Sequence, residues 1–157
     1  MNYLGFGKRL LAYLIDTVPI TLAVFLPAYF FLGFDEVMRS YFRDINDLEA
    51  KAAFYSQRGL IKNFGFLVYV AYCILMESSS MHATLGKRVV GAMVVSETGE
   101  PLTFKQALLR NLLKILSALP LFMGFLMAAF SAKRQALHDK FAKTYVIERT
   151  AQGGEVS

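Results

Sequence analysis

Ionisable side chains sit where they are costly in this chain. Asp16 is the lone charge between Leu10 and Phe34, in an otherwise apolar run, and Glu77 is the lone charge between Asn63 and Met81. Arg110 and Lys114, four apart and so on one helical face, lead into a third apolar run. A carboxylate at membrane depth costs ~2.5 kcal/mol or more, so it must face protein or water and find a partner. Opposite charges in a low dielectric need each other, and pairing of Asp16 and Glu77 with Arg9, Arg110 or Lys114 is the economical expectation. Arg9 shares a helical face with Asp16 but lies about 10 Å away along the axis, too far for direct contact unless it folds inward. Two chemistries fit these residues. The acids can take up and release a proton or a monovalent cation, or they can form a buried ion-pair network that sets helix register.

Enzyme motifs are lacking. Ala83-Thr-Leu-Gly-Lys-Arg88 resembles a phosphate-binding loop, but Met81 and Arg88 stand where that motif requires glycine and a hydroxyl. His82 and His138 lack metal-ligand spacing, and no serine or cysteine lies in a nucleophile turn. We therefore expect no catalytic residues, no metal and no cofactor. Cys73 is the only cysteine, so an internal disulfide is excluded.

The elements that position the charges follow from composition. Of 157 residues, 55% are hydrophobic and 18% charged, more apolar and less charged than a soluble domain. The net charge of +5 would suggest nucleic acid in a soluble chain, but the basic residues flank apolar runs, where they act as topology signals. A helix needs roughly 20 apolar residues to cross a bilayer. Segments at about 10–34, 63–81 and 107–132 meet or approach that length. The first is too long for a cleavable signal core and is expected to remain in the protein. Over 35–57, Val37, Met38, Tyr41, Phe42, Ile45, Leu48, Ala52 and Tyr55 recur with helical period, which predicts an amphipathic helix. The β-branched run Val89, Val90, Val94, Val95 ends at a Gly99-containing turn, and Thr144–Ile147 forms a second strand candidate able to pair with it. Thr103-x-x-Gln106 opens a helix as a capping box. Residues 1–149 are expected to form one domain and 150–157 a flexible tail.

Lys8 and Arg9 favour a cytoplasmic N-terminus. A full third crossing would then leave Lys133, Arg134, Lys140, Lys143 and Arg149 outside, against the positive-inside rule. Either the N-terminus is outside, or the third segment turns back at Pro120 as a re-entrant hairpin, which keeps both strand candidates on one side.

Three features in order resemble one family: Arg9 and Asp16 in the first span, Thr84-Leu-Gly-Lys-Arg-Val-Val-Gly91, and Arg134-Gln-Ala-Leu-His-Asp139-Lys-Phe-Ala-Lys-Thr144. The chain is similar to the RDD family of bacterial membrane proteins from about Phe6 to Ile147. Its name residues would be Arg9, Asp16 and Asp139. Lys143 departs from the smaller residue usual before the final threonine. Some members are described as cation/proton antiporters, and the resemblance implies such a transporter.

The combined expectation is an all-α, multi-pass bacterial inner-membrane protein. It has three apolar segments, an amphipathic helix and a small cytoplasmic β-hairpin-like patch. Asp16 and Glu77 would hold protons or monovalent cations, with Arg9, Arg110, Lys114 and Asp139 as a charge network. The partners expected are the lipid bilayer and further copies of the chain, because three segments make a thin bundle; nucleic acid is not expected. The rival readings are a non-catalytic membrane adaptor and a lipid-binding assembly protein.

Overall fold

The computed structural model describes residues 2–118, 127, 131 and 133–149. Among the described residues two helices are long and apolar enough to cross a membrane: α1, Phe6–Phe31, and α3, Leu48–Ser78. At ~1.5 Å per residue both exceed the ~30 Å of a hydrocarbon core. Pro19 and Pro27 lie inside α1, where each removes one helical hydrogen bond, a loss that membrane helices tolerate.

The chain divides into two compact units. One comprises Thr17–Tyr69. There α2, Phe34–Arg43, follows Gly33, whose φ of 71° needs a residue without Cβ. Phe34 is buried against Phe54, and Tyr41 stacks on the same ring with centroids 4.4 Å apart. The amphipathic segment expected over 35–57 is thus not one helix. Asp44 accepts from Asn46 N, and Asp47 accepts from Glu49 N at 2.8 Å as the cap of α3. These short acids draw backbone donors out of a continuous helix, which is why the pattern breaks there. The second apolar helix correspondingly starts at Leu48 rather than 63, since Leu48 to Lys62 has good helix formers and no proline.

The other unit comprises Met1–Asp16 and Val70–Ser157. Its centre is a two-stranded antiparallel sheet of β1, Ala92–Ser96, and β2, Thr144–Glu148, with Val94 opposite Val146. The N-terminal residues lie along β2, with Leu4 N donating to Val146 O and Glu148 N to Asn2 O. Leu4, Ala92, Val94, Leu102, Ala107 and Val146 form the core beneath.

Each strand is preceded by the same backbone unit. His82 (φ 50°) leads to α4, Leu85–Val89, and through Gly91 (φ 70°) to β1. Arg134 (φ 48°) leads to α6, Leu137–Phe141, and through Lys143 (φ 52°) to β2. The hydrogen bonds correspond pair by pair: Arg88 N to Thr84 O with Lys140 N to Ala136 O, and Val90 N to Gly86 O with Ala142 N to His138 O. Val94 and Val146 are counterparts as well as partners, so a local pseudo-twofold axis passes through their pair.

The remaining helix, α5, is Phe104–Ala118. Its capping box is complete: Gln106 N donates to Thr103 Oγ1, and Thr103 N donates to Gln106 Oε1. The third apolar segment expected over 107–132 is covered at its start by α5. Apart from residues 127 and 131, its continuation, including the turn expected at Pro120, lies outside the described residues, as does the tail 150–157.

Candidate functional site

Two buried polar centres lie in the unit that holds the sheet. In the first, Asp16 reaches from α1 to the start of α4. Its Oδ2 accepts from Thr84 Oγ1 at 2.5 Å, and its Oδ1 accepts from Gly86 N at 2.7 Å and Tyr72 Oη at 2.8 Å. Tyr72 Oη in turn accepts from Leu85 N at 2.8 Å. The carboxylate therefore sits on the first backbone N–H groups of a helix, where negative charge is favoured and N–H groups lack internal partners. Thr84 also caps α4, accepting from Lys87 N. Gly86 permits this approach: a Cβ there would lie 2.1 Å from Ala12 O and 2.9 Å from the Asp16 carboxylate. The expected pairing of Asp16 with a base is not what the structure shows. Among the described residues its partners are hydroxyls and a backbone amide, because Tyr72 of α3 and the start of α4 deliver donors at 2.8 Å or less while Arg9 folds away.

The second centre gathers Arg9, Glu77, Lys87, Arg110, Asn111, Lys114 and Asp139. Arg110 joins its two acids. Nε and Nη2 donate to Asp139 Oδ1 at 2.9 and 2.7 Å, and Nη1 lies 2.8 Å from Glu77 Oε2. Arg9 Nη1 donates to Asp139 Oδ2 at 2.5 Å, and its Nε donates to Leu4 O. Lys87 Nζ donates to Glu77 Oε1, with Lys114 Nζ 3.7 Å from the same oxygen. Asn111 Nδ2 bonds Glu77 Oε2 at 3.1 Å. Glu77, Asp139 and Arg110 are essentially inaccessible to solvent. Asp139 also accepts from Ala136 N, closing the start of α6 from within.

This electrostatic setting shifts the ionisation of its groups. Burial alone would raise the Asp139 carboxyl, but the Arg110 guanidinium, helped by His138 and Arg9, holds it well below the usual range. Burial pushes His138 down to about 3, with Arg110, Lys114 and Arg9 adding to the shift against Asp139. Lys87 is pushed down to about 8 by burial, opposed by Glu77 and reinforced by Arg110 and Lys114.

The structure thus brings Arg9, Glu77, Arg110, Lys114 and Asp139 together and leaves Asp16 with a different set of donors. Sequence reasoning missed Tyr72, Thr84 and Gly86 as partners of Asp16, and Asn111 as a partner of Glu77. Thr84 and Gly86 lie in a motif already singled out. Tyr72 carries no signal that separates it from the other tyrosines of an apolar helix.

One family model and several relatives match the chain. The RDD family pattern matches residues 3–143. A relative in Bacillus subtilis, named "Uncharacterized protein YxaI", is 31% identical over 149 residues, covering 91% of this chain and 95% of that protein. A proline-rich antigen homolog of Mycobacterium tuberculosis is 34% identical over 84 residues, 53% of this chain but 35% of its own length. The proline-rich antigen of Mycobacterium leprae is 34% identical over 85 residues, covering 52% of this chain and 34% of the antigen. No solved structure matches.

Proposed function

The chain belongs to the RDD family, and we propose that it couples movement of a monovalent cation to movement of a proton, with Asp16 as the exchanging group. One observation carries this reading. Among the described residues, Asp16 is the buried carboxylate of the membrane helices whose charge no basic side chain offsets; Glu77 is held by Lys87, Arg110 and Lys114. The hydroxyls of Thr84 and Tyr72 already touch Asp16, so a small cation would find several oxygen atoms around one negative charge. The exchange balances simply: a protonated Asp16 releases H⁺ as the cation binds the carboxylate. A single carboxylate suits a single positive charge. Glu77, expected to be a second ion-binding acid, belongs in this reading to the framework with Arg9, Arg110, Lys114 and Asp139. No catalytic group is required. A bacterial inner membrane, a cytoplasmic sheet, and assembly of several copies to enclose a path complete the proposal.

A test is flux in proteoliposomes with an internal pH dye and an external sodium or potassium pulse. The wild type should acidify or alkalinise the lumen according to the cation gradient. Asp16→Asn is nearly isosteric and should insert and fold with flux abolished. Full flux in a well-folded Asp16→Asn protein would remove Asp16 from the mechanism. A second reading, a non-transporting adaptor, is favoured by the exposed apolar faces of Phe31 and Leu48 at the ends of α1 and α3. It predicts no flux from the wild type.

A further inference from the structure

The Arg110 centre is out of charge balance. Among the described residues its cations are Arg9, Lys87, Arg110 and Lys114, and its carboxylates are Glu77 and Asp139. His138 is neutral near pH 7 and adds nothing. The site therefore carries two uncompensated positive charges in surroundings where unpaired charge is strongly disfavoured. Hydrogen bonding is also incomplete. Arg9 Nη2 is buried and has no hydrogen-bond partner among the described residues. Lys114 Nζ donates to Asn111 Oδ1 at 2.6 Å, and an ammonium has further donors to give. Lys87, Lys114 and Arg9 each keep a minor part of their side chain open to solvent, so the cluster has an accessible margin.

Depth supplies the identity of the missing charge. Arg9 lies in the first turn of α1, which starts at Phe6, and Glu77 in the last turn of α3, which ends at Ser78. Both apolar helices meet water at that end, so the cluster falls in the layer where lipid phosphates lie. Basic pockets at such helix ends recognise anionic headgroups. We propose that this cluster is a binding site for a phosphate-type anion, the phosphate of an anionic lipid headgroup or free phosphate, which completes its charge and occupies Arg9 Nη2. The site differs from Asp16 and does not rest on the transport reading.

The test uses the full chain purified in detergent, then placed in nanodiscs of phosphatidylcholine with or without phosphatidylglycerol, or titrated with inorganic phosphate. Retained adducts are read by native mass spectrometry and the melting temperature by circular dichroism. Phosphatidylglycerol should remain bound and raise the melting temperature, and phosphatidylcholine should do neither. If inorganic phosphate gives the same rise and displaces the lipid, the ligand is a soluble phosphate; if it does neither, the headgroup is the ligand. Lys114→Gln should weaken binding by about tenfold while folding normally, whereas Lys114→Arg and the exposed control Lys105→Gln should bind as wild type. The proposal is overturned if no anion binds or stabilises folded wild type, or if Lys114→Gln and Lys87→Gln both bind as tightly as wild type. Flux measured on the same purified protein in proteoliposomes separates the two readings, since an anion bound to a protein without flux removes only the transporter.

Discussion

In the unit from His82 to Ser96, the start of the short helix α4 is closed by a carboxylate from elsewhere, Asp16 of α1. In its counterpart from Arg134 to Glu148, helix α6 closes itself: Asp139 turns back to Ala136 N while two arginines neutralise it. The backbones match, yet Lys87 stands in the first where Asp139 stands in the second, and Gly86 where His138 stands. The difference is one of duty. A carboxylate clamped by Arg9 and Arg110 is fixed in its ionised form, and its work is to hold α1, α5 and α6 to one another. A carboxylate held by neutral hydroxyls and one amide N–H keeps its charge unneutralised, and the hydroxyl oxygens beside it can also face a cation.

The largest test of this contrast is Arg110→Met. It fits the space but removes the guanidinium that joins Glu77 to Asp139, leaving the first to Lys87 and Lys114 and the second to Arg9, and breaking a buried pair costs ~3–5 kcal/mol. No folded protein should be recovered from membranes. Folded Arg110→Met at normal yield would mean that the second centre is no clamp. Next comes Gly86→Ala. The added carbon meets the backbone oxygen of Ala12, which cannot swing aside, so a loss of about 3 kcal/mol is expected in thermal unfolding. Gly59→Ala, with open space around it in α3, should be neutral or stabilising by ~0.5–1 kcal/mol. Equal stability of the two variants would show that α4 is not pressed against α1.

Which parts of this were legible in sequence follows from the kind of signal each leaves. The strands announced themselves through Val94 and Val95 and through Thr144–Ile147, because β-branched residues bounded by turns have few alternatives. Thr103 and Gln106 declared the start of α5 three residues apart. The first span was plain from its apolar length. The break at Asp44–Asp47 was hidden because apolar periodicity continues across it, while the hydrogen bonds that end α2 come from side chains too short to show in the pattern. At the polar centres, charge complementarity pointed to Arg110 and Lys114 for Glu77, and the structure places them there. The same rule misled at Asp16, because it ranks bases above hydroxyls and backbone amides. Tyr72 and Thr84 lie far from Asp16 in the chain, and only the fold chooses them.

Acid should separate the centres by a smaller margin. In the unfolded chain His138 takes up a proton near pH 6.5, and in the folded protein only near 3. Unfolding therefore binds a proton between those values, so stability is full above about pH 6.5 and falls as pH drops. Asp139 acts in the same direction further down: its folded carboxyl is held below the unfolded value, so its contribution is present above that value and lost as pH falls through the folded one. By pH 4 the loss is that of His138, on the order of a few kcal/mol, and Asp139 adds to it only below that pH. His138→Gln should flatten the decline between pH 6.5 and 4.5 in denaturant melts. An unchanged slope would show that burial does not hold His138 neutral in the folded protein.

The smallest effect should come from the residue that turns each unit into its strand. Gly91 and Lys143 share a left-handed conformation, with φ of 70° and 52°. Glycine accepts it freely, but a side chain with Cβ costs roughly 1–2 kcal/mol there. Lys143 endures it because its backbone is tied on both sides, with its N–H donating to Lys140 O and its C=O accepting from Glu97 N. Neither bond needs the side chain, which is exposed. Lys143→Gly keeps both bonds and removes the strain, at the cost of a more flexible unfolded chain worth about 0.5–1 kcal/mol. The net expectation is a gain of about 0–1 kcal/mol in chemical denaturation. Gly91→Ala, which meets no neighbouring atom, should lose about 1 kcal/mol from backbone strain alone. A loss on Lys143→Gly as large as that on Gly91→Ala would mean that the lysine side chain holds the second turn, and that the two units are alike in backbone only.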